Sequence, residues 1–328
     1  MAIQFRPRAA VLAAALASLA AVPLLAAAQG YPSKPIRLIS TYVAGSTADA
    51  VVRHVSQKMN ESMAQPVIVE VQTGASGVVG GQTVARAAPD GYTLLVTIPT
   101  TIVSTPFLLK NRPYEPKDFT PITAAIDAVT CIMVNAALPV NSVQELIAHA
   151  KANPGKVPYG SNGIGGVYHL EWEAVKLKHG LDMTHVPYKG GTEALMAAVN
   201  GQIPVAFAPL SAALPHVKAG KLKVLAVLMN QRYPGNPQIP SMAEQVPGYE
   251  RTPTGVYYYG PAGMQRPIVM RVYQEIAKAV AQPDVVERMR AIAFFSTVNT
   301  PEEFAAQTKR EIEVAARAIK IAGIPVEQ

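Results

Sequence analysis

The chain of 328 residues contains a single cysteine and a single tryptophan, and aromatic residues make up only 6% of it. A lone cysteine forms no internal disulfide and leaves a cysteine-based metal site without its second thiol. Cys131 lies in the apolar run Val129–Val134, which reads as a buried strand, whereas a nucleophilic thiol needs exposure and an activating base. Charge is also sparse, at 16%, and no run of five or six like charges occurs. The 29 basic and 22 acidic residues are scattered, so the clustered stripe of a nucleic-acid face is missing. Four catalytic or phosphate-binding signatures are absent as well. There is no G-x-G-x-x-G, no G-K-[ST], no H-E-x-x-H and no G-x-S-x-G, which argues against dinucleotide, P-loop, zinc-protease and serine-hydrolase chemistry.

What is present begins with an export signal. Arg6 and Arg8 precede an apolar run from Ala9 to Leu25, and Ala26, Ala27 and Ala28 supply small residues for cleavage. The run is too short and too rich in alanine for a comfortable membrane span. Residues 1–28 therefore read as a signal peptide, with a periplasmic mature chain starting at Gln29. Losing Arg6 and Arg8 lowers the net charge from +7 to +5. With 49% hydrophobic residues, the remaining chain of about 300 residues can build two domains of ordinary size.

Along the mature chain, strand-like runs alternate with helical periods. Ile36–Thr41 is followed by a helix carrying Val52, Val55 and Met59, and Val67–Val71 by a helix through Val84. Tyr92–Thr97 is the next strand, and Cys131–Asn135, Ile203–Ala208 and Leu222–Leu228 continue the pattern. Such spacing predicts βαβ units and a mostly parallel sheet. Two strand-to-helix turns are rich in small residues, Ala44–Asp49 and Ser161–Gly166. A helix start has backbone N–H groups without internal partners and a positive dipole end, which suits a carboxylate or phosphate. Spacing alone leaves that reading level with a plainer one, in which each glycine only makes a tight turn. The Tyr257–Tyr259 trio reads as core or as cleft lining, and Trp172 as core.

Ordered matches along almost the whole mature chain then point to a family. They are Tyr31–Arg37, Ala44–Asp49, Ala88–Leu95, Tyr114–Pro116 with Asp118–Pro121, Tyr159–Leu170, His185–Gly191 and Leu214–Leu222. In these the chain resembles the Bug/TctC periplasmic solute-binding receptors of tripartite tricarboxylate transporters. The resemblance implies an α/β fold of the type II periplasmic-binding-protein (Venus-flytrap) kind. Residues 29–129 plus 255–328 would form one domain and 130–254 the other, with crossings near Thr130 and Gly255. It implies no catalysis, no cofactor and no metal. The expected partners are a small carboxylate and integral-membrane transporter subunits, the expected state a monomer.

The resemblance also implies a site in which backbone amides and ordered waters from two opposed loops hold a carboxylate. In this sequence those are Tyr42, Ala44, Gly45, Ser46 and Thr47 on one side, and Ser161, Asn162, Gly163, Gly165, Gly166 and His169 on the other. Asp49 reads as an organiser of its loop, while Thr100, Thr101 and Pro209 complete the walls. Arginine at Gly45 or Gly165 is expected to fill the pocket without unfolding the chain. Three features depart from the family pattern: Ser46 stands where relatives carry a second glycine, Gly166 where they carry Ser or Thr, and Thr97–Thr101 is unusual. Neither loop contains arginine, so dicarboxylates, tricarboxylates, amino acids and aromatic acids all remain candidates, with Tyr42 and the tyrosine trio leaning towards an aromatic one. The rival readings are a ligand-sensing receptor feeding a sensor kinase and a periplasmic hydrolase.

Overall fold

The computed structural model describes residues 30–249, 251–321 and 323; the leader at 1–28 lies outside them. Strand β1 (Ile36–Ser40) buries all but one of its residues and ends in the loop to helix α1 (Thr47–Met63). Ser46 caps α1 by accepting the Asp49 amide, and Val51, Val52, Val55 and Met59 form its buried stripe. Strand β2 (Val67–Val71) leads through a 3₁₀ turn at Ala75–Gly77 into α2 (Val78–Ala85). Strand β3 (Thr93–Thr97) lies parallel to β1 and is followed by two single-turn helices, α3 (Thr100–Val103) and α4 (Thr105–Leu108).

Strand β4 (Phe119–Ala128) then passes almost without a break into β5 (Thr130–Asn135). The two belong to different sheets, so Val129 is the first crossing. Beyond it come α5 (Val143–Ala152), β6 (Tyr159–Ser161), α6 (Val167–His179), β7 (His185–Pro187), α7 (Gly191–Val199) and β8 (Val205–Pro209). Helix α8 (Leu210–Lys218), β9 (Leu222–Val227) and the short α9 (Met242–Gln245) complete this half. The chain crosses back before β10 (Val256–Pro261). It ends with α10 (Arg266–Val280), α11 (Pro283–Ala291), β11 (Phe294–Ser296) and α12 (Pro301–Ile321).

The result is a six-stranded sheet, β11-β4-β10-β3-β1-β2, and a five-stranded sheet, β7-β6-β8-β5-β9. Both are mixed, which corrects the expectation of a mostly parallel sheet. The βαβ units pair parallel, but every pairing that involves β4, β5, β10 or β11 is antiparallel. Strands that carry the chain between sheets enter against the βαβ direction, and local periodicity has no term for that. Each sheet is covered on both faces: β1, β3 and β10 are packed between the α1/α10 layer and the α2/α12 layer. Tyr257, Tyr258 and Tyr259 on β10 are at most 1% exposed, so the trio is core. Cys131 is buried too, and burial pushes its thiol pKa up.

The two crossings are fastened to each other. Asp127 on β4 holds Arg251 at 2.5 Å, and its other carboxylate oxygen accepts from Ala128 N (2.8 Å), Thr254 N (3.0 Å) and Thr254 Oγ1 (3.3 Å). Arg251 also donates to Leu228 O at 3.0 Å. Glycine is required at 255, where a Cβ would lie 1.8 Å from Ile126 O.

Candidate functional site in the cleft between the sheets

The carboxyl ends of β1, β3, β6 and β8 are where an open α/β sheet presents its loops to a ligand. The first loop folds around one carboxylate. Asp49 Oδ2 accepts the Gly45 amide at 2.9 Å and Arg53 Nε at 3.0 Å, while Ser46 N donates to Val43 O. Gly45 has φ +77°, a conformation that favours glycine. Tyr42 faces inward: it is 9% exposed, and its hydroxyl donates to Gly255 O at 2.9 Å. Its hydroxyl thus anchors the second crossing to the first loop.

The second loop is likewise held by its own side chains. Ser161 is fully buried, accepts the Gly163 amide at 3.2 Å and lies 2.7 Å from His185 Nε2. Gly165 N donates to His169 Nδ1 at 3.0 Å. That bond requires an unprotonated Nδ1, so His169 carries its proton on Nε2 and is neutral. The rings of His169 and His185 stack at 3.8 Å. Burial lowers both pKa values, that of His185 to about 4. The wall is therefore uncharged at neutral pH. Gly166 is the N-cap of α6 and brings no side chain to the first turn, while a Cβ there would meet Asn162 Oδ1 at 2.5 Å. The glycine makes room for the Asn162 amide.

The first-lobe helices reach across to this loop. Ser104 Oγ donates to Gly165 O at 3.3 Å, and a Cβ on Gly165 would lie 1.9 Å from Leu108 Cδ1. Leu108 and Val103 also pack with Leu170 of α6 and with Ala315 and Ile319 of α12. An arginine at 165 would therefore wedge α4 away from the second loop, which corrects the expectation that it only fills a pocket. Gly45 has nothing within 4 Å of a built Cβ. Thr100 and Thr101 open α3, both nearly buried, and Pro209 pairs with Thr130 beside the crossing.

Neither of two cavities among the described residues brings the predicted set together. A cavity of about 700 Å³ runs between α6 and α12 and takes only Thr100 from the predicted set. On its walls stand Glu171 and Glu311, whose carboxyl pKa values burial raises to about 7. Glu171 accepts Thr252 N (2.6 Å) and Tyr249 OH (3.0 Å), tying α6 to the crossing segment. A shallower cavity of about 520 Å³ takes Ala44, Gly45 and Asp49, together with Arg53, His54 and Arg288. Among the described residues no group of three His, Cys, Asp or Glu is arranged to hold a metal ion. No described helix is long and apolar enough to cross a membrane. Ser104, Leu108 and the Asp127–Arg251 pair went unnoticed in the sequence, since nothing local marks a residue that meets a partner from the other lobe.

Two mixed sheets joined by paired crossings, with the helices after β3 touching the small-residue loop after β6, suit a receptor that closes on a solute. The family model described as tripartite tricarboxylate transporter family receptor matches residues 51–319. The chain belongs to this receptor family. A UPF0065 protein of Bordetella pertussis is 34% identical over 277 residues, covering 83% of this chain and 86% of that protein. The periplasmic binding protein BugD has a structure that superposes with a TM-score of 0.74 at 28% identity, covering 90% of this chain and 99% of that one. The structure of R. palustris Rpa4515 with adipate gives 0.79 at 28% identity, with the same coverage of each chain. The family consists of periplasmic solute-binding receptors, so this receptor has their fold and their general role.

Proposed function

We propose that this receptor closes on a small carboxylate between the loops Tyr42–Thr47 and Ser161–Gly166 and delivers it to the integral-membrane subunits of a tripartite tricarboxylate transporter. The lobes 29–129 plus 255–328 and 130–254 would move about the crossings at Val129 and Thr252–Gly255. The observation that carries the reading is the second loop. Its side chains are neutral, and it ends in a helix whose N-cap is glycine with no capping side chain. The first-turn amides of α6 are thereby left for an anion. Adipate on a 28% identical relative supports the same ligand class. Among the described residues Ser161 and His185, 2.7 Å apart, form the kind of Ser–His contact that a hydrolase reading would use. Ser161 is fully buried and its hydroxyl already accepts the Gly163 amide, which argues against its use as a nucleophile.

Thermal unfolding of the exported chain, stripped of ligand, against aliphatic and aromatic acids tests this. A ligand at 100 times its Kd adds about 2.7 kcal/mol, roughly 4 °C for a chain of this length. A saturable shift with one acid supports the reading. The absence of any shift in folded, ligand-free protein overturns it.

A further inference from the structure

Three threonine hydroxyls form a hydrogen-bond chain at the carboxyl ends of β1 and β3. Thr41 Oγ1 lies 2.7 Å from Thr97 Oγ1, which lies 2.7 Å from Thr101 Oγ1, which lies 3.0 Å from Ser76 O. A hydroxyl owns one proton and a carbonyl none. The carbonyl therefore fixes the direction. Thr101 gives its proton to Ser76 O, Thr97 gives its own to Thr101, and Thr41 must give its own to Thr97. Thr97 and Thr101 are fully buried, whereas Thr41, directly before the Tyr42–Thr47 loop, is partly exposed.

The chain is held in place from two sides. A Cβ on Gly77 (φ +92°) would lie 2.3 Å from Thr101 Oγ1, and one on Gly80 would lie 2.9 Å from Thr41 Cγ2. With every proton spent inward, Thr41, the one partly exposed member of the chain, has only lone pairs left to offer a ligand. A carboxylate oxygen is repelled there, while a hydroxyl or ammonium is welcomed.

We propose that Thr41 is a specificity-determining contact that makes this cleft prefer carboxylic acids carrying a hydroxyl or ammonium donor over acids of the same shape without one. The inference rests on the carboxylate reading above and narrows it. The carboxylate would go to the helix-terminus amides and the donor to Thr41 Oγ1.

The experiment is calorimetric titration of ligand-free protein with three pairs that differ by one hydroxyl: malate and succinate, citrate and tricarballylate, 3-phenyllactate and 3-phenylpropionate. The pair that binds is expected to favour its hydroxy acid by about tenfold, the upper end of what one neutral hydrogen bond contributes. Thr41→Val should bring the two Kd values within about twofold, and Thr41→Ser should keep the preference. Thr101→Val removes the inner acceptor, so Thr97 donates to Thr41, whose proton turns outward. A hydroxyl accepts as readily as it donates, so the hydroxy acid should keep its advantage there, whereas aspartate, whose ammonium can only donate, should lose any advantage over succinate that it shows with the unaltered protein. Equal affinities within every binding pair of the unaltered protein overturn the Thr41 assignment and leave the receptor reading standing. Failure of all these acids to bind overturns both.

Discussion

Removing the carboxylate of Asp127 tests whether the two crossings act as one fastened unit. Asp127 is 2% exposed and the Arg251 side chain 15%, so the pair is held at 2.5 Å largely out of water. Asp127→Ala leaves a buried guanidinium with only carbonyl acceptors, and it strips Thr254 N and Ala128 N of their shared acceptor. Breaking one partner of a buried pair costs about 3–5 kcal/mol. An unfolding entropy of roughly 2.1 cal/mol/K per residue comes to about 0.6 kcal/mol/K here, so the midpoint should fall by about 5–8 °C. Arg251→Met alone should cost a similar amount, because it leaves the opposite charge uncompensated. The double variant should recover most of the loss, since no charge is then buried alone. Thermal unfolding of all four proteins at pH 7 measures the cycle. A single-variant loss below about 1 kcal/mol would mean that the pair behaves like a surface contact. Additive losses in the double variant would refute the coupling itself.

Three further outcomes follow from the same geometry. The pKa of His185 is lowered from 6.5 to about 4. Its neutral form therefore contributes stability that is complete above pH 6.5 and lost as pH falls towards 4; His185→Gln should flatten that acid slope in urea unfolding at pH 4.5, 5.5 and 7.5. Glu171 has the opposite sign: with its pKa raised to about 7, its own contribution is complete below pH 4.5 and is lost as pH rises through 7. Glu171→Gln should then unfold at a higher temperature than the parent at pH 8 and gain less at pH 5, and equal shifts at both would count against a protonated Glu171. Gly165→Ala combines φ +69° with a contact 1.9 Å from Leu108, so it should cost about 2–4 kcal/mol. Leu108→Ala in the same chain should return part of that, as differential scanning calorimetry would report.

Much of the fold was legible because it is local. The Val52–Val55–Met59 stripe of α1 and the strand runs at Ile36–Thr41, Val67–Val71 and Tyr92–Thr97 are written in neighbouring residues. The order of strands was not, since β10 and β11 join β4 from more than a hundred residues away and run antiparallel to it. The site divides in the same way. Both loops were visible from small residues at strand ends, and so was the part of Asp49 that holds Gly45. Tyr42 read as a possible aromatic contact, but its hydroxyl serves Gly255, 213 residues later. The Thr97–Thr101 spacing stood out only as a departure from a family pattern. Its meaning needs Ser76 and Thr41, which come from other elements.

These positions carry one physical consequence. In each loop one glycine amide, Gly45 N or Gly165 N, is already taken by a side chain of the following helix. The loops are thus organised before any ligand arrives, and little ordering entropy is left to be lost on binding. What a ligand can still change is the relation between the lobes. Ser104 and Leu108 already touch the second loop, through one hydrogen bond and one apolar cluster, so the contact that closes this edge is small. A ligand shifts the equilibrium only by its extra affinity for the closed form. An acid whose carboxylate sits at the first turn of α6 and whose donor reaches Thr41, just past β1, would touch both lobes at once, whereas one held by a single loop would bind without closing the cleft. A hydroxy acid and its plain counterpart should accordingly differ in compaction as well as in Kd, and small-angle scattering at saturation with each would reveal it. Equal radii of gyration for the two would refute a bridging role for Thr41.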